Sequence, residues 1–206
     1  MHWLDPDYLP VTSGVVERFI INPDGEVDGF LLTDQILVHT PPHLSDQLKS
    51  AIRPGDSVRV RGVKPRGAEV IAAVSVETTT GSIVIDHGPE AIEAESGDEP
   101  ANTTRVPMDA SGTVRLTLFA PKGQARGALL QDGTILRLGH KEAHRLVDRL
   151  QPGAQISVRG EGLATEHGRV IEIREIGQTD GTFKPIKKPK DELAEDAASD
   201  VPQAMA

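Results

Sequence analysis

"SGVVERFIINPDGEVDGFLLTD", Ser13–Asp34, returns further along the chain as "SGTVRLTLFAPKGQARGALLQD", Ser111–Asp132, with Ser-Gly, Pro, Gly, Gly, Leu-Leu and Asp matching at one constant offset. That offset also lines up "IRPGDSVRVRG", Ile52–Gly62, with "LQPGAQISVRG", Leu150–Gly160, without a gap. Glycines and prolines dominate the matches, and these residues fix turns. A two-residue insertion then brings Val70-Ile71 into line with Val170-Ile171, and both copies close at a glycine, Gly81 and Gly181. The chain therefore holds two copies of one domain-sized plan, residues 11–81 and 111–181.

Within each copy, hydrophobic periodicity gives the order of elements. A first strand covers Gly14–Ile21 or Gly112–Phe119. In the second copy Val114, Leu116 and Leu118 alternate with Thr113, Arg115 and Thr117, which means one buried face. A turn-rich connection, "NPDGEVDG" or "APKGQARG", leads to a short strand around Phe30–Leu32 or Ala128–Leu130, and a third strand ends at His39 or Leu138. Leu44, Leu48, Ala51 and Ile52, and in the second copy Ala143, Leu146, Val147 and Leu150, have helical spacing, and Pro-Gly ends each helix. Two more strands follow, "DSVRVRG" then "EVIAAVSVE", or "AQISVRG" then "RVIEIREI". Three strands, a helix and two strands, with a glycine in a bent first strand, predict an all-β protein with one short helix per unit: two tandem five-stranded Greek-key barrels of the OB type.

"PGDSVRVRG", Pro54–Gly62, resembles the opening of the fourth strand in many bacterial OB-folds, and "DGFLLTDQILVHTPPHL", Asp28–Leu44, is similar to uncharacterised bacterial proteins of the nucleic-acid-binding-like OB type. The resemblance covers both repeats and neither the linker nor the tail. It implies the fold and a binding role whose ligand differs from one OB-fold to the next.

The 206 residues carry a net charge of −9, and the acidity is segregated. Residues 82–110 hold Asp86, Glu90, Glu93, Glu95, Asp98, Glu99 and Asp109 against Arg105, and read as an acidic linker, with "SIVID", Ser82–Asp86, open to the alternative of extending the first barrel's last strand. Residues 182–206, Lys- and Pro-rich and then acidic, read as a disordered tail. It ends in "DVPQAMA" and lacks the aspartate-rich Pro-Phe tip of bacterial single-strand-binding proteins. The second repeat keeps a small cationic excess. There is no cysteine, hence neither disulfide nor thiolate chemistry. No basic-then-apolar leader or membrane-length apolar run occurs, so a cytoplasmic protein with no membrane partner is expected.

At the repeat offset His39 falls on Arg137, and His43 falls on Lys141. A metal or general-base pair would not survive replacement by two permanent cations, so the shared property is basicity on the outer barrel face. Thr40-Pro41-Pro42 reads as a helix start with a threonine cap. His140 and His144 in "GHKEAH" are one helical turn apart but lack the zinc-protease order and further ligands. No phosphate loop, nucleophile elbow or cofactor motif appears, so no metal, cofactor or enzyme activity is expected.

OB-folds bind on strands two and three and on the loops joining strands one to two and four to five. Lys122, Arg126, Arg137, Lys64 and Arg66 fall on those elements. Arg115, Lys141 and His39 complete the candidate nucleic-acid-binding set, with His39 and His43 expected to add charge near pH 6. Aromatics make up only 3% of the chain, which leaves few rings for base stacking. The expected function is weak, salt-sensitive binding of single-stranded nucleic acid, mainly by the second repeat. The alternative is a protein-interaction adaptor without nucleic-acid affinity.

Overall fold

A computed structural model of the chain describes residues 8–88, 104–178 and 181–186. Two closed five-stranded β-barrels follow one another. The first is built from β1 (Val11–Ile21), β2 (Val27–Leu32), β3 (Leu37–His39), β4 (Ser57–Val63) and β5 (Val70–Thr78), with α1 (Ser45–Ala51) between β3 and β4. β1 pairs with β2 and β4, β2 with β3, and β4 with β5; a parallel pairing of β3 with β5 closes the ring. The second barrel repeats the circuit with β7 (Val106–Phe119), β8 (Ala125–Leu130), β9 (Ile135–Arg137), α2 (His140–Arg145), β10 (Gln155–Thr165) and β11 (Gly168–Gly177).

Each first strand must serve two neighbours, and bulges let it do so. Register breaks between Val16 and Arg18 in β1, and between Val114 and Leu116 in β7, are at equivalent positions. The extra residue at each break, Glu17 or Arg115, is carried to the outside of its barrel, as bulges re-aim side chains. Gly29 and Gly127, shared by the two β2-type strands, are required by close approach: a Cβ there would lie 2.3 Å from the Val38 carbonyl oxygen and 1.9 Å from that of Leu136.

The helices plug one end of each barrel. Leu44, Leu48 and Ile52 are buried under the first, where Ser45 Oγ accepts the Val27 amide; Ala143 and Leu150 are buried under the second, where Thr117 Oγ1 donates to the Leu150 carbonyl. Two details differ from the periodicity. The second helix gives way to a 3-10 turn over Val147–Leu150, which rotates Val147 outward and leaves it 39% exposed. Thr40 does not cap: its Oγ1 is buried without a hydrogen-bond partner among the described residues, Pro41 takes the cap position, and the first turn is the 3-10 turn Pro42–Leu44.

The charge pattern places residues 82–110 in a linker and 182–206 in a tail, yet their edges are strand. β6 (Ile83–Ile85) adds to β5, β7 begins at Val106, and β12 (Phe183–Pro185) adds to β11. His43 reaches Asp86 at 3.2 Å and ties the end of β6 to the first helix region. Residues 89–103 and 187–206, which hold the rest of the linker and tail readings, lie outside the described residues.

The barrels pack against each other. One apolar cluster joins most of the first barrel's core to Leu116, Leu118, Leu129, Ile135, Leu163 and Val170 of the second. The remaining second-barrel core, around Val114, Leu136, Ile156 and Ile171, forms its own cluster.

Candidate nucleic-acid interface

The seam between the barrels has approximate two-fold character. Arg115 donates through both terminal nitrogens to the Glu17 carboxylate, at 2.5 and 2.7 Å, and these two residues occupy the same position in the repeat. Equivalent positions meet each other only where a two-fold axis passes between them. The loops agree. Gly25, in the β1–β2 turn, packs on Leu163 and Thr165 at the end of β10 that leads into the β10–β11 turn, while its counterpart Gly123 packs on Pro65 and Ala68 in the first barrel's β4–β5 loop. Each barrel thus lays its β1–β2-type turn on the other's β4–β5-type loop. These are the elements with which OB barrels usually hold ligands, and here they hold the sister barrel.

Several expected binding residues are committed to this seam. Arg137 donates through Nε and Nη2 to the Ile21 carbonyl, at 3.1 and 2.9 Å, and reaches Asp28 at 2.5 Å, with the two side chains only 11% and 13% exposed. Burial works against its charge, and Asp28 opposes that loss. Arg115 is committed to Glu17, whose carboxyl is held below the usual range first by that hydrogen bond. Both arginines are on outer faces, as the alternation requires, but the other barrel covers those faces. Arg18 lies there too, its Nη2 donating to the Gly133 carbonyl at 3.0 Å.

His39, expected on a solvent-facing surface, is half-buried in the seam. Burial pushes its imidazole below the ordinary histidine range, and the neighbouring Arg137 and Arg126 guanidiniums push the same way. The Asp28 carboxylate and a hydrogen bond with the Thr40 backbone oppose the shift. The ring is therefore harder to protonate than a free imidazole, which runs against the expectation that it adds charge near pH 6. Because the folded pKa is the lower one, the native state takes up fewer protons than the unfolded chain. Stability is then greatest above about pH 6.5 and falls as pH drops from there through the folded value. Thermal unfolding should show this loss between pH 7 and 5, and His39→Gln should remove most of it; an unchanged pH profile in that variant would contradict the assignment.

Five of the expected cations remain exposed, and four of them lie along one end of the seam. Gly123 packing sets Lys122 beside the loop carrying Lys64 and Arg66, and Arg126 follows on β8, close enough to act on His39 and Arg137. Lys64 pairs with Glu69 at 2.6 Å, whereas Arg66, Lys122 and Arg126 enter no ion pair among the described residues. Lys141 is exposed on the first turn of α2, apart from these contacts. The two-fold-related edge is acidic: Asp24, Glu26 and Glu166 are exposed there, and Arg105 bridges Asp24 and Glu172. One end of the seam is thus cationic and the other anionic.

Among the described aromatic residues Tyr8 is the exposed one, at 88%, and the phenylalanines contribute little outside. Phe30 is fully buried, and Phe19 is 4% exposed with its ring edge-on to His167 at 5.1 Å. Phe119 is half-buried against the core, and Arg159 stacks over Phe183 at 3.9 Å. Among the described residues no group of three or more histidines, aspartates or glutamates is placed to hold a metal ion, and no helix is long and apolar enough to cross a membrane.

The seam residues Glu17, Arg18 and Asp28 escaped the sequence reading. A signal existed: Glu17 and Arg115, Asp24 and Lys122, and Asp28 and Arg126 are charge reversals at the repeat offset. Comparison of the chain with known protein families, curated proteins and solved structures gives no match.

Proposed function

We propose that this is a non-catalytic binding protein that contacts the phosphate backbone of single-stranded nucleic acid through the cationic edge of the seam. The observation that carries this reading is the packing of the turn that carries Lys122 on the loop that carries Lys64 and Arg66, with Arg126 exposed on the strand that follows; Arg66, Lys122 and Arg126 enter no ion pair among the described residues. With the described phenylalanines turned inward or stacked on protein, and Tyr8 the exposed ring, binding runs mainly on charge, and it is weak and indifferent to sequence. The site belongs to the pair of barrels, in place of the second barrel alone.

About three to four phosphate contacts should give a log-log salt slope of about −2 to −3 on a single strand. Lys122→Ala with Arg126→Ala should flatten that slope by up to about two units, while Lys141→Ala should leave it unchanged. Titration of a fluorescent oligonucleotide at several salt concentrations checks both. Salt-insensitive or absent binding would reject the reading.

The protein-adaptor alternative is favoured by one specific observation: the OB ligand surfaces are already occupied by protein. Absent polyanion binding in the same titration would move the function to that alternative.

A further inference from the structure

Duplicated faces that meet about a two-fold axis can, in general, also meet their own kind. Applying the two-fold to like barrels shows what the charges would do. Two second barrels would set Arg115 against Arg115, and Arg137 against Arg126 at both ends, because Arg126 occupies the position that Asp28 has in the first repeat. Two first barrels would set Glu17 against Glu17. Only the mixed pair gives Glu17 with Arg115 and Asp28 with Arg137, and the remaining equivalent contact brings Arg126 near a histidine in place of a permanent cation. Like charges placed opposite each other cost several kcal/mol and serve to exclude wrong partners.

We propose that the seam is a charge-coded heterotypic interface: the face of the second barrel accepts a first barrel, from its own chain or from a second copy, and rejects another second barrel. The apolar contacts of Phe19, Leu116 and Leu163 supply adhesion without discrimination, and the reversed charges supply the choice.

The test uses the full-length chain with a protease site inserted among residues 89–103. After cleavage, the two halves should co-elute on gel filtration as a one-to-one complex. Differently tagged cleaved samples, once mixed, should exchange halves only in first-with-second combinations. Arg115→Glu, which faces Glu17 with a like charge, should weaken the complex about 100-fold. Glu17→Arg combined with Arg115→Glu should restore it to within a few-fold of the unaltered protein. If Arg115→Glu alone fails to fold, the double variant should fold, which supports the pairing equally. Separation of the unaltered halves, second barrels pairing with one another, Arg115→Glu binding as tightly as the parent at low salt, or failure of the double variant would each overturn the proposal.

Discussion

Arg137→Ala is expected to destabilise the chain by about 3–5 kcal/mol, the cost of removing one partner of a buried ion pair. Asp28 would remain as an uncompensated carboxylate in a site only 13% exposed, and the Ile21 carbonyl would lose both of its guanidinium donors. Asp28→Ala should be costly for the mirror reason, with Arg137 left charged and unpaired. Replacing both, Asp28→Leu with Arg137→Met, should recover most of the loss, since apolar residues of similar volume often do as well as a buried pair. Urea unfolding of the four proteins checks the cycle through their midpoints. Single-variant losses below about 1 kcal/mol would mean that the pair behaves as an exposed one and the seam is not closed around it.

Phe19→Ala should cost a similar amount, about 3–5 kcal/mol, through lost burial and the cavity left behind. The ring is 4% exposed, belongs to the cluster that spans both barrels, and meets His167 edge-on with an interplanar angle of 72°. Edge-on ring pairs contribute about 0.5–1.5 kcal/mol beyond area alone. His167→Ala should therefore be milder than Phe19→Ala, in proportion to that smaller term. Equal and negligible effects in chemical denaturation would place Phe19 outside any cooperative core.

The repeat made the fold legible because its shared residues have geometric duties. Gly29 and Gly127 allow a neighbouring strand to approach, and the equivalent register breaks beside Glu17 and Arg115 bend the first strand so that the barrel can close. Helical spacing found α1 and α2 but not the change of pitch at Val147, because a 3-10 turn preserves apolar content while shifting its phase. β6 and β12 each pair with a strand of their own barrel: the sequence leaves "SIVID" open between strand and linker, and β6 decides it for strand, whereas the charge around β12 makes it read as tail.

The site was legible only in part for a similar reason. Alternation placed Arg115, Arg137 and His39 on outer faces, where the structure has them, although the bulge at Arg115 turns Thr117 inward against the same alternation; period two also cannot say whether an outer face meets water or another domain. The repeat carried the missing information as reversed charges, Glu17 against Arg115 and Asp28 against Arg126. Lys64, Arg66, Lys122 and Arg126 are on connections and an exposed strand position, as the sequence reading places them.

The joint cationic edge depends on the second barrel's turn lying on the first barrel's loop, and the absence of native cysteine makes that contact directly testable. A Cβ on Gly123 would lie 3.4 Å from the Ala68 Cβ, close to the usual disulfide separation of about 3.5–4.5 Å. The cysteine at position 123 would adopt a left-handed backbone, φ +84°, at a cost of about 1–2 kcal/mol, which a disulfide can offset. Ala68→Cys with Gly123→Cys should form an intramolecular disulfide in nearly every molecule under mild oxidation of dilute protein, and in the oligonucleotide titration the cross-linked monomer should behave as the unlinked protein does. Free thiols or intermolecular dimers under the same conditions would contradict the packing on which the account rests.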